Sequence, residues 1–368
     1  TVAAHSAREP LGLLIEEART NLCLQSENIT TTWTKGPSTG RTANDAVSPD
    51  GNTTADKITD SDSSSGHVKQ TFTGITDSQT YTFSIYVKKD AVAKTTRFPM
   101  LRMEYDGGTK TRIDIGFDSS TGESVTNVSL GGGTVVGGAA IDAGDYWRVW
   151  LSAKNDASSN TTMSVYVFSA AGSNADLVSL AGAPTGSLHV FGAQVELASF
   201  PTSYIKTTTA SVTRAADVAT DTVIDWFNPS EGTFVATVHI PIANGSNRRL
   251  FDLDDGTNNE RIVFNHNSSK KTALTVIDGG VAQASLAAAT AWASGDTRNV
   301  GYAYALNDFV IYEDGVQEGS DAAGTLPTVD ALRIGTDKDG GTQLNGTISR
   351  IRYYPRRLKD TSLVQLTT

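Results

Sequence analysis

The sequence predicts an all-β protein made of two antiparallel β-sandwich (jelly-roll) domains in tandem. First, the 368 residues suffice for two domains that each bury a core. Second, charged residues make up only 19% while Gly, Ser, Thr, Asn and Asp are plentiful, which favours short strands and tight turns. Third, short stretches that alternate apolar and polar residues recur along the whole chain, as half-buried strands do.

Breaks in this alternation predict the domain limits. Residues 1–28 form a lead segment, and residues 29–205 form the first domain. A Thr-, Ala- and Asp-rich linker without clear periodicity covers residues 206–225, and the second domain takes residues 226–368.

In the first domain, alternation predicts strands at 81–87, 112–117, 163–168 and 189–195. Turn dipeptides such as Asp106-Gly107 and Thr121-Gly122 lie between strands. The glycine-rich stretch 131–138 is expected to be a mobile loop. It lacks the Lys-Ser/Thr ending of a phosphate-binding loop, and no helix pattern follows it.

In the second domain, strands are predicted at 232–240, 309–316 and 344–354. Asp314-Gly315 is a hairpin signal, and several other Asn-Gly and Asp-Gly pairs mark further turns. Apolar residues at 358, 363 and 366 predict one short helix at the end of the chain.

Composition narrows the classes of function. The net charge is −10, and acidic residues exceed basic ones in both halves, so we expect no nucleic-acid partner. Cys23 is the only cysteine and cannot form an intrachain disulfide. No apolar run approaches 18 residues, so we expect no membrane span. Because position 1 is Thr, we expect that the start was processed or truncated.

Two phrases frame the first domain and identify a resemblance. The opening phrase spans residues 12–22 and includes Arg19-Thr20-Asn21-Leu22, and the closing phrase spans residues 191–205. With Leu332-Arg333-Ile334-Gly335 and the 345–358 stretch of the second domain, they resemble bacteriophage virion proteins. In those proteins a carbohydrate-binding-module-like jelly roll precedes a concanavalin A/laminin-G-like domain. The resemblance covers most of the chain.

The resemblance implies a fold and a setting, and no particular ligand. It implies a non-enzymatic structural protein of the virion, as a fibre, spike or surface-decoration component that contributes to attachment to host glycans. Other virion proteins would be partners, and the chain would be a homo-oligomer with a trimer favoured. It also implies that the lead segment clasps the first domain as a strand. Alternatives are a glycan-binding accessory region of a secreted bacterial protein and a polysaccharide depolymerase.

Exposed aromatic side chains are the expected glycan platforms, because the C–H face of a sugar stacks on a ring. Strand periodicity puts Trp147 on one face with Val149 and Leu151, which predicts a core face. Trp150 then projects outward beside Tyr146 and Arg148, and it becomes the main candidate for glycan or partner binding. A position packed under a loop remains the alternative. The full candidate set is Trp150, Tyr146, Arg148 and Trp33.

The resemblance implies calcium as the plausible metal, because jelly-roll and laminin-G-like modules often bind it through carboxylate and carbonyl oxygens. The candidate ligands are Glu16, Glu17 and Glu196, with Asp50 and Asp56 as further donors. No other cofactor is expected.

Catalysis is not predicted. The carboxylates considered for glycoside hydrolysis are Asp252, Asp254, Asp255 and Glu260. Asp254-Asp255-Gly256 is more simply a turn. The Glu-x-Asp-x-x-Glu pattern of concanavalin-like glycoside hydrolases does not occur.

Overall fold

A computed structural model describes residues 12–62, 65–91, 98–171 and 185–368. The described chain forms 26 strands and one short helix, and each strand pairs with an antiparallel neighbour, so the predicted all-β class is confirmed. Two compact units are present. Residues 19–214 form the first unit, and residues 12–18 together with 215–368 form the second.

Fourteen strands belong to the first unit. They are β2 (Arg19–Asn21), β3 (Thr34–Lys35), β4 (Thr39–Ala46), β5 (Ala55–Asp60), β6 (His67–Thr73), β7 (Thr80–Lys88), β8 (Phe98–Asp106), β9 (Thr111–Phe117), β10 (Ser124–Leu130), β11 (Thr134–Ala143), β12 (Tyr146–Lys154), β13 (Thr162–Ala171), β14 (Gly186–Leu197) and β15 (Val212–Arg214).

Two six-stranded sheets make the first unit a sandwich. We call the sheet of order β10-β9-β8-β13-β6-β3 the front sheet, and the sheet of order β11-β12-β7-β14-β5-β4 the back sheet. A small β2-β15 ribbon accompanies them. The core between the sheets takes alternate residues of each strand, such as Leu101 and Met103 from β8 and Val149 and Leu151 from β12. The intervening residues face outward on each sheet.

The second unit contains the remaining strands and the helix. They are β1 (Leu13–Ile15), β16 (Thr220–Asp221), β17 (Glu231–His239), β18 (Arg248–Asp254), β19 (Arg261–His266), β20 (Thr272–Asp278), β21 (Val281–Ala287), β22 (Thr297–Ala305), β23 (Asp308–Glu313), β24 (Val316–Asp321), β25 (Ala331–Ile334), β26 (Gly346–Tyr354) and α1 (Asp360–Thr367).

The second unit is also a sandwich of two six-stranded sheets, ordered β1-β26-β17-β22-β23-β24 and β16-β25-β18-β19-β20-β21. Its core is aromatic, and Phe264 lies 4.3 Å from Tyr302 between ring centroids. The hairpin prediction at Asp314-Gly315 is confirmed, because both residues have positive φ and join β23 to β24. The predicted terminal helix is α1.

The opening strand differs from its prediction. β1 does not clasp the first unit, since it pairs with β26 of the second unit, with Leu13 opposite Ile348 and Ile15 opposite Gly346. Ile15 is buried in the second core, and this burial explains the pairing. Only β2, a few residues later, belongs to the first unit.

Residues 134–138 of the glycine-rich stretch belong to a strand and not to a mobile loop, and residues 131–133 lie in the bend before it. β11 contains Gly137 and Gly138 and pairs along β12. A Cβ atom at Gly137 would lie 2.7 Å from the Trp150 ring, and one at Gly138 would lie 2.7 Å from Thr126. The glycines are therefore sites of close packing, a role that glycine also has inside strands.

Across the described ranges, no helix has both the length and the apolar character needed to cross a membrane.

Candidate functional site

The opening and closing phrases of the first unit are joined by a buried asparagine. The Asn21 amide donates to the carbonyl oxygens of Ala193 (3.1 Å) and Ile205 (2.7 Å). Its side-chain oxygen accepts from the backbone N–H groups of Cys23 and Val195, each at 3.0 Å. These contacts give the two phrases a structural role, because they satisfy backbone groups that burial would otherwise leave unpaired.

The chain after β14 lies over the outer face of the back sheet. Thr82 donates to the carbonyl of Ala198 at 2.9 Å, and Arg148 donates to the carbonyl of Thr202 at 2.5 Å. Glu196 accepts from both the N–H (3.1 Å) and the hydroxyl (2.5 Å) of Thr202. We call residues 198–207 the covering segment and this side of the back sheet the covered face.

The main predicted platform, Trp150, lies on the same face of β12 as Arg148. Trp150 faces away from the core that contains Val149 and Leu151, as the pleat predicts, but it is only 5% exposed. Its ring packs over Gly137. Tyr146 is buried too, and its hydroxyl donates to the carbonyl of Val47 at 2.6 Å. The expectation of an outward, accessible Trp150 is therefore wrong, because a residue outside the core can still be buried.

Arg148 also serves the covered face. Its guanidinium carbon lies 5.5 Å from the centre of the Tyr86 ring, and it donates to the Ser84 hydroxyl at 3.2 Å. Together with the hydrogen bond to Thr202, these contacts hold the Arg148 guanidinium between the sheet and the covering segment.

The fourth predicted platform is also buried. Trp33 is 1% exposed and belongs to the core of the first unit, although the residues before it are polar threonines. Its surface position was predicted from those neighbours, and the fold instead inserts the ring between the sheets. Burial of so large an apolar side chain is favourable enough to override the local polarity.

The front sheet carries an open site on its outer face. We call it the charged recess. It has a volume of about 360 Å³, and its described lining comprises Ser65, His67, Lys69, Arg102, Glu104, Arg112, Tyr166 and Phe168. These residues come from the neighbouring strands β6, β13, β8 and β9 and the approach to β6. Strand pairing sets Tyr166 between Lys69 and Arg102 and sets Phe168 beside His67.

A cluster of three rings, from His67, Tyr166 and Phe168, forms one side of the recess. The Tyr166 and Phe168 rings are nearly parallel at 10° with centroids 5.9 Å apart. The His67 ring lies 5.2 Å from Tyr166 and 5.1 Å from Phe168. Lys69 lies 5.4 Å from the Tyr166 ring centre, and Arg102 lies 5.4 Å from that of Phe168. Rings and cations are thus interleaved, an arrangement that holds both components in place.

Ion pairs orient the cationic side chains of the recess. Arg102 binds Asp114 in a bidentate pair at 2.7 and 2.9 Å, and Arg112 binds Glu104 at 2.5 Å. Glu104 also accepts from the Tyr166 hydroxyl at 3.1 Å. Such pairs restrict rotamers, so the site is preorganised before a ligand binds.

The electrostatics of the recess favour an anion. Three cationic side chains face two carboxylates in a chain whose net charge is −10. Burial, together with the positive charges of Lys69 and Arg102, lowers the pKa of His67, so the ring is neutral at pH 7. Burial raises the pKa of Glu104, but Arg112 and the Tyr166 hydroxyl outweigh it, and the net pKa lies below the usual range.

The three predicted calcium ligands do not all belong to the same unit. Glu16 and Glu17 belong to the second unit, where Glu17 pairs with Asn345, whereas Glu196 belongs to the first and binds Thr202. Searching the described residues finds no group of three or more His, Cys, Asp or Glu placed around a common metal position. Calcium binding stays a prediction.

The further donors Asp50 and Asp56 have local roles. Asp50 accepts from the Ser48 hydroxyl at 2.5 Å within a turn. Asp56 accepts from the backbone N–H groups of Ile29 (2.8 Å) and Asn44 (2.9 Å). Both carboxylates therefore support the backbone of the first unit.

All four carboxylates considered for hydrolysis are engaged by the protein. Asp252 pairs with Arg261, and Asp254 forms a bidentate pair with Arg333 at 2.7 and 3.0 Å. The other two bind local donors: Asp255 accepts from the N–H and hydroxyl of Thr257, and Glu260 accepts from the N–H groups of Gly279 and Thr328. Asp252 and Asp254 are fully buried, so they do not form an accessible acid and base pair.

Trp226 is an exposed aromatic side chain of the second unit. Trp226 is 39% exposed and lies 5.1 Å from the Tyr353 ring, while its indole N–H donates to Asp221 at 3.2 Å. Trp292, by contrast, is buried and donates to Thr272 and Glu313.

Comparison with known proteins supports the sandwich fold. The family model of the concanavalin A-like lectin/glucanases superfamily matches residues 198–363, which include most of the second unit. No curated protein sequence matches the chain.

Solved structures with a similar fold include the CBM40 module of the Ruminococcus gnavus IT-sialidase. It is 17% identical, with 38% of this chain and 84% of that module covered and a TM-score of 0.34. The Streptococcus pneumoniae NanB sialidase is 16% identical. The match covers 39% of this chain and 25% of the sialidase, with a TM-score of 0.35. The heptameric SAP-like pentraxin of Limulus polyphemus is 13% identical. The match covers 38% of this chain and 70% of the pentraxin, with a TM-score of 0.30. At these scores the likenesses carry no conclusion about function.

Sequence reasoning missed the charged recess, although one signal was present. The strand predicted at 163–168 places Met163, Val165 and Val167 on its core face, and this leaves Tyr166 and Phe168 on the outer face. Both rings are buried, at 8% and 3% exposed, because Lys69 and Arg102 pack over them, so this signal locates the recess without making the rings an open platform.

Proposed function

We propose that this protein is a non-enzymatic glycan-binding protein, and that the charged recess holds a carboxylated sugar residue. The observation that carries the proposal is an open recess lined by three cationic side chains, which pack against the largely buried rings of Tyr166 and Phe168. A carboxylate offers two oxygens that match a guanidinium or an ammonium group, and sugar hydroxyls can bond to the polar side chains of the lining. The recess of about 360 Å³ lies within the range of roughly 300–1,000 Å³ usual for small-ligand sites.

Two further observations support this class of function. The match of residues 198–363 to the concanavalin A-like lectin/glucanases superfamily puts the second unit in a group of folds that includes lectins. That superfamily also includes glucanases, but the four candidate carboxylates are held by ion pairs or backbone contacts. Binding without hydrolysis is therefore the better supported function.

For the biological setting, we propose a bacteriophage particle, with this chain as a fibre, spike or surface-decoration component that attaches to host glycans. The opening and closing phrases and their resemblance to virion proteins support the setting. A homo-oligomer, with a trimer favoured, would repeat weak sites and gain avidity. Immunogold labelling of purified particles tests the setting, and light scattering at micromolar concentration tests the oligomer.

The binding proposal is tested with an array of neutral and carboxylated glycans. We expect retention of carboxylated glycans, and we expect it to weaken as salt rises, because partly exposed charges are screened. Lys69→Ala should weaken retention about tenfold, equivalent to about 1.4 kcal/mol. Lys154→Ala is the matched control, since this exposed lysine lies on β12 of the other sheet.

Equal loss in both lysine variants, or preference for neutral glycans, would contradict the assignment of the recess. Release of reducing ends from a bound polysaccharide would favour the depolymerase alternative instead.

A further inference from the structure

A second cavity adjoins the charged recess. It has a volume of about 740 Å³ and lies in the first unit along the edge of the front sheet. We call it the hydroxyl groove, because its polar lining is mainly Thr20, Thr32, Thr34, Thr71, Thr73 and Ser211. Its apolar lining includes Leu24, Phe72 and Leu197, the last of which is 51% exposed.

Strand β6 connects the two cavities. His67 lines the recess, Lys69 lines both cavities, and Thr71 and Thr73 line the groove. These alternate residues share the outer face of β6, so they form a continuous row. At about 3.3 Å per residue, the row from His67 to Thr73 is about 20 Å long. This length exceeds what a single sugar residue occupies.

The edge of β6 is open along the groove. Among the described strands, β3 pairs with β6 only at Val68 and Lys69, whereas β13 covers the other edge from His67 to Thr73. The stretch from Gln70 to Thr73 is therefore an edge that faces the cavity. Its backbone groups add hydrogen-bonding capacity to the hydroxyls of the lining.

The chemistry changes from one cavity to the other. The recess has three cationic side chains, while Lys69 is the only charged residue among the described residues that line the groove. Hydroxyl groups beside aliphatic side chains suit a neutral sugar, which has both hydroxyls and C–H faces. A cation-rich end followed by a neutral channel matches an oligosaccharide with one acidic residue and a neutral chain.

We propose that the charged recess and the hydroxyl groove are subsites of one extended site, which binds an oligosaccharide whose acidic residue occupies the recess and whose neutral residues occupy the groove. This inference rests on the proposed glycan-binding function. Lys69 contributes to both subsites, and Thr71 and Thr73 contact the neutral chain.

Calorimetry with two matched pairs of probes tests the inference. One pair is N-acetylneuraminic acid and sialyllactose, and the other is glucuronic acid and a tetrasaccharide that carries glucuronic acid at the end of three neutral hexoses. We expect the longer member of at least one pair to bind tenfold or more tightly than its monosaccharide. Thr73→Trp should remove that gain by filling the groove, and it should leave the monosaccharide affinity unchanged.

Thr42→Trp is the matched control, because Thr42 is also exposed on a strand of the first unit but lies on β4 of the back sheet. It should retain the gain with chain length. Leu197→Asp, at an exposed position on the lip of the groove, gives a second and independent block. Melting curves of all variants establish that each one folds.

The outcomes separate the two proposals. If neither the monosaccharides nor the longer probes bind, the proposed function itself fails. If a monosaccharide binds but the longer probe gains nothing, the extended site is overturned while the recess stands. The same holds if Thr73→Trp and Leu197→Asp both leave the gain intact.

Discussion

The two outer faces of the first unit carry similar side chains and serve different ends. The covered face has Tyr146, Arg148 and Trp150, while the front face has Tyr166, Phe168 and Arg102. On the covered face these groups contact residues of the same chain, and Arg148 binds the covering segment through Thr202. On the front face the rings are buried too, with Tyr166 8% and Phe168 3% exposed, but the cationic side chains packed against them line an open recess. Aromatic and arginine content therefore does not distinguish a binding surface from a second, minor core.

The covering segment accounts for this difference. Tyr204 inserts beside Phe191 at 5.5 Å and beside Tyr86 at 6.3 Å, and its hydroxyl bonds to Ser26 at 2.6 Å. These contacts turn the outer face of the back sheet into a third packed layer. Substitutions that release the covering segment should therefore have the largest effect on the covered face.

The largest expected effect comes from Asn21→Ala. The substitution leaves the buried carbonyls of Ala193 and Ile205 and the N–H of Val195 without their partner, and each unpaired buried group costs about 1–3 kcal/mol. We expect the free energy of unfolding to fall by about 3 kcal/mol or more, measured by denaturant titration. Thr20→Ala, at a half-buried neighbour whose hydroxyl forms a hydrogen bond with that of Thr213, should cost less than about 1 kcal/mol. Similar losses in the two variants would show that the phrases are not clamped through Asn21.

Trp150→Ala should have the next largest effect. Because the ring is buried over Gly137, truncation should cost about 3 kcal/mol of unfolding free energy. Trp226→Ala, at the exposed tryptophan of the second unit, should cost clearly less. Glycan affinity should be unchanged by Trp150→Ala as long as the protein is folded. A melting temperature unaffected by Trp150→Ala would restore the accessible platform that the sequence predicted.

His67 offers a smaller, pH-dependent effect on the front face. Burial lowers its pKa below the ordinary value of about 6.5 in the folded state, so the unfolded chain takes up the proton first as the pH falls. Stability should therefore decrease below about pH 6.5. Between pH 7.5 and pH 5.5, the wild-type protein should lose more unfolding free energy than His67→Gln does. Equal losses in the wild type and in His67→Gln would show that His67 does not cause the pH dependence.

Much of the fold was predictable because it depends on local pattern. Alternation located the strands at 81–87, 112–117 and 163–168, and Asp314-Gly315 located its hairpin. The lead strand was assigned to the wrong unit. β1 pairs with β26, more than 300 residues later, and nothing in a three-residue strand specifies so distant a partner.

The site was less predictable for the same physical reason. The pleat placed Trp150 on the outer face correctly, but its burial depends on Gly137, which the sequence suggested was in a loop. The recess combines β6, β8, β9 and β13, and their order in the sheet follows from topology and not from local periodicity. Only the paired aromatics at Tyr166 and Phe168 were visible in advance.

The most direct test of the account compares one arginine from each face. Arg112→Gln removes a partly exposed cation that lines the recess, and Arg148→Gln removes the donor that holds Thr202 of the covering segment. Both variants are examined for unfolding free energy and for affinity toward the best-retained carboxylated glycan.

We expect Arg112→Gln to lose about tenfold in affinity while its unfolding free energy stays within about 1 kcal/mol of the wild type. Arg148→Gln should lose about 1–3 kcal/mol of unfolding free energy and keep its affinity. The opposite pattern, with binding lost at Arg148 and stability lost at Arg112, would contradict the assignment of one face to packing and the other to binding.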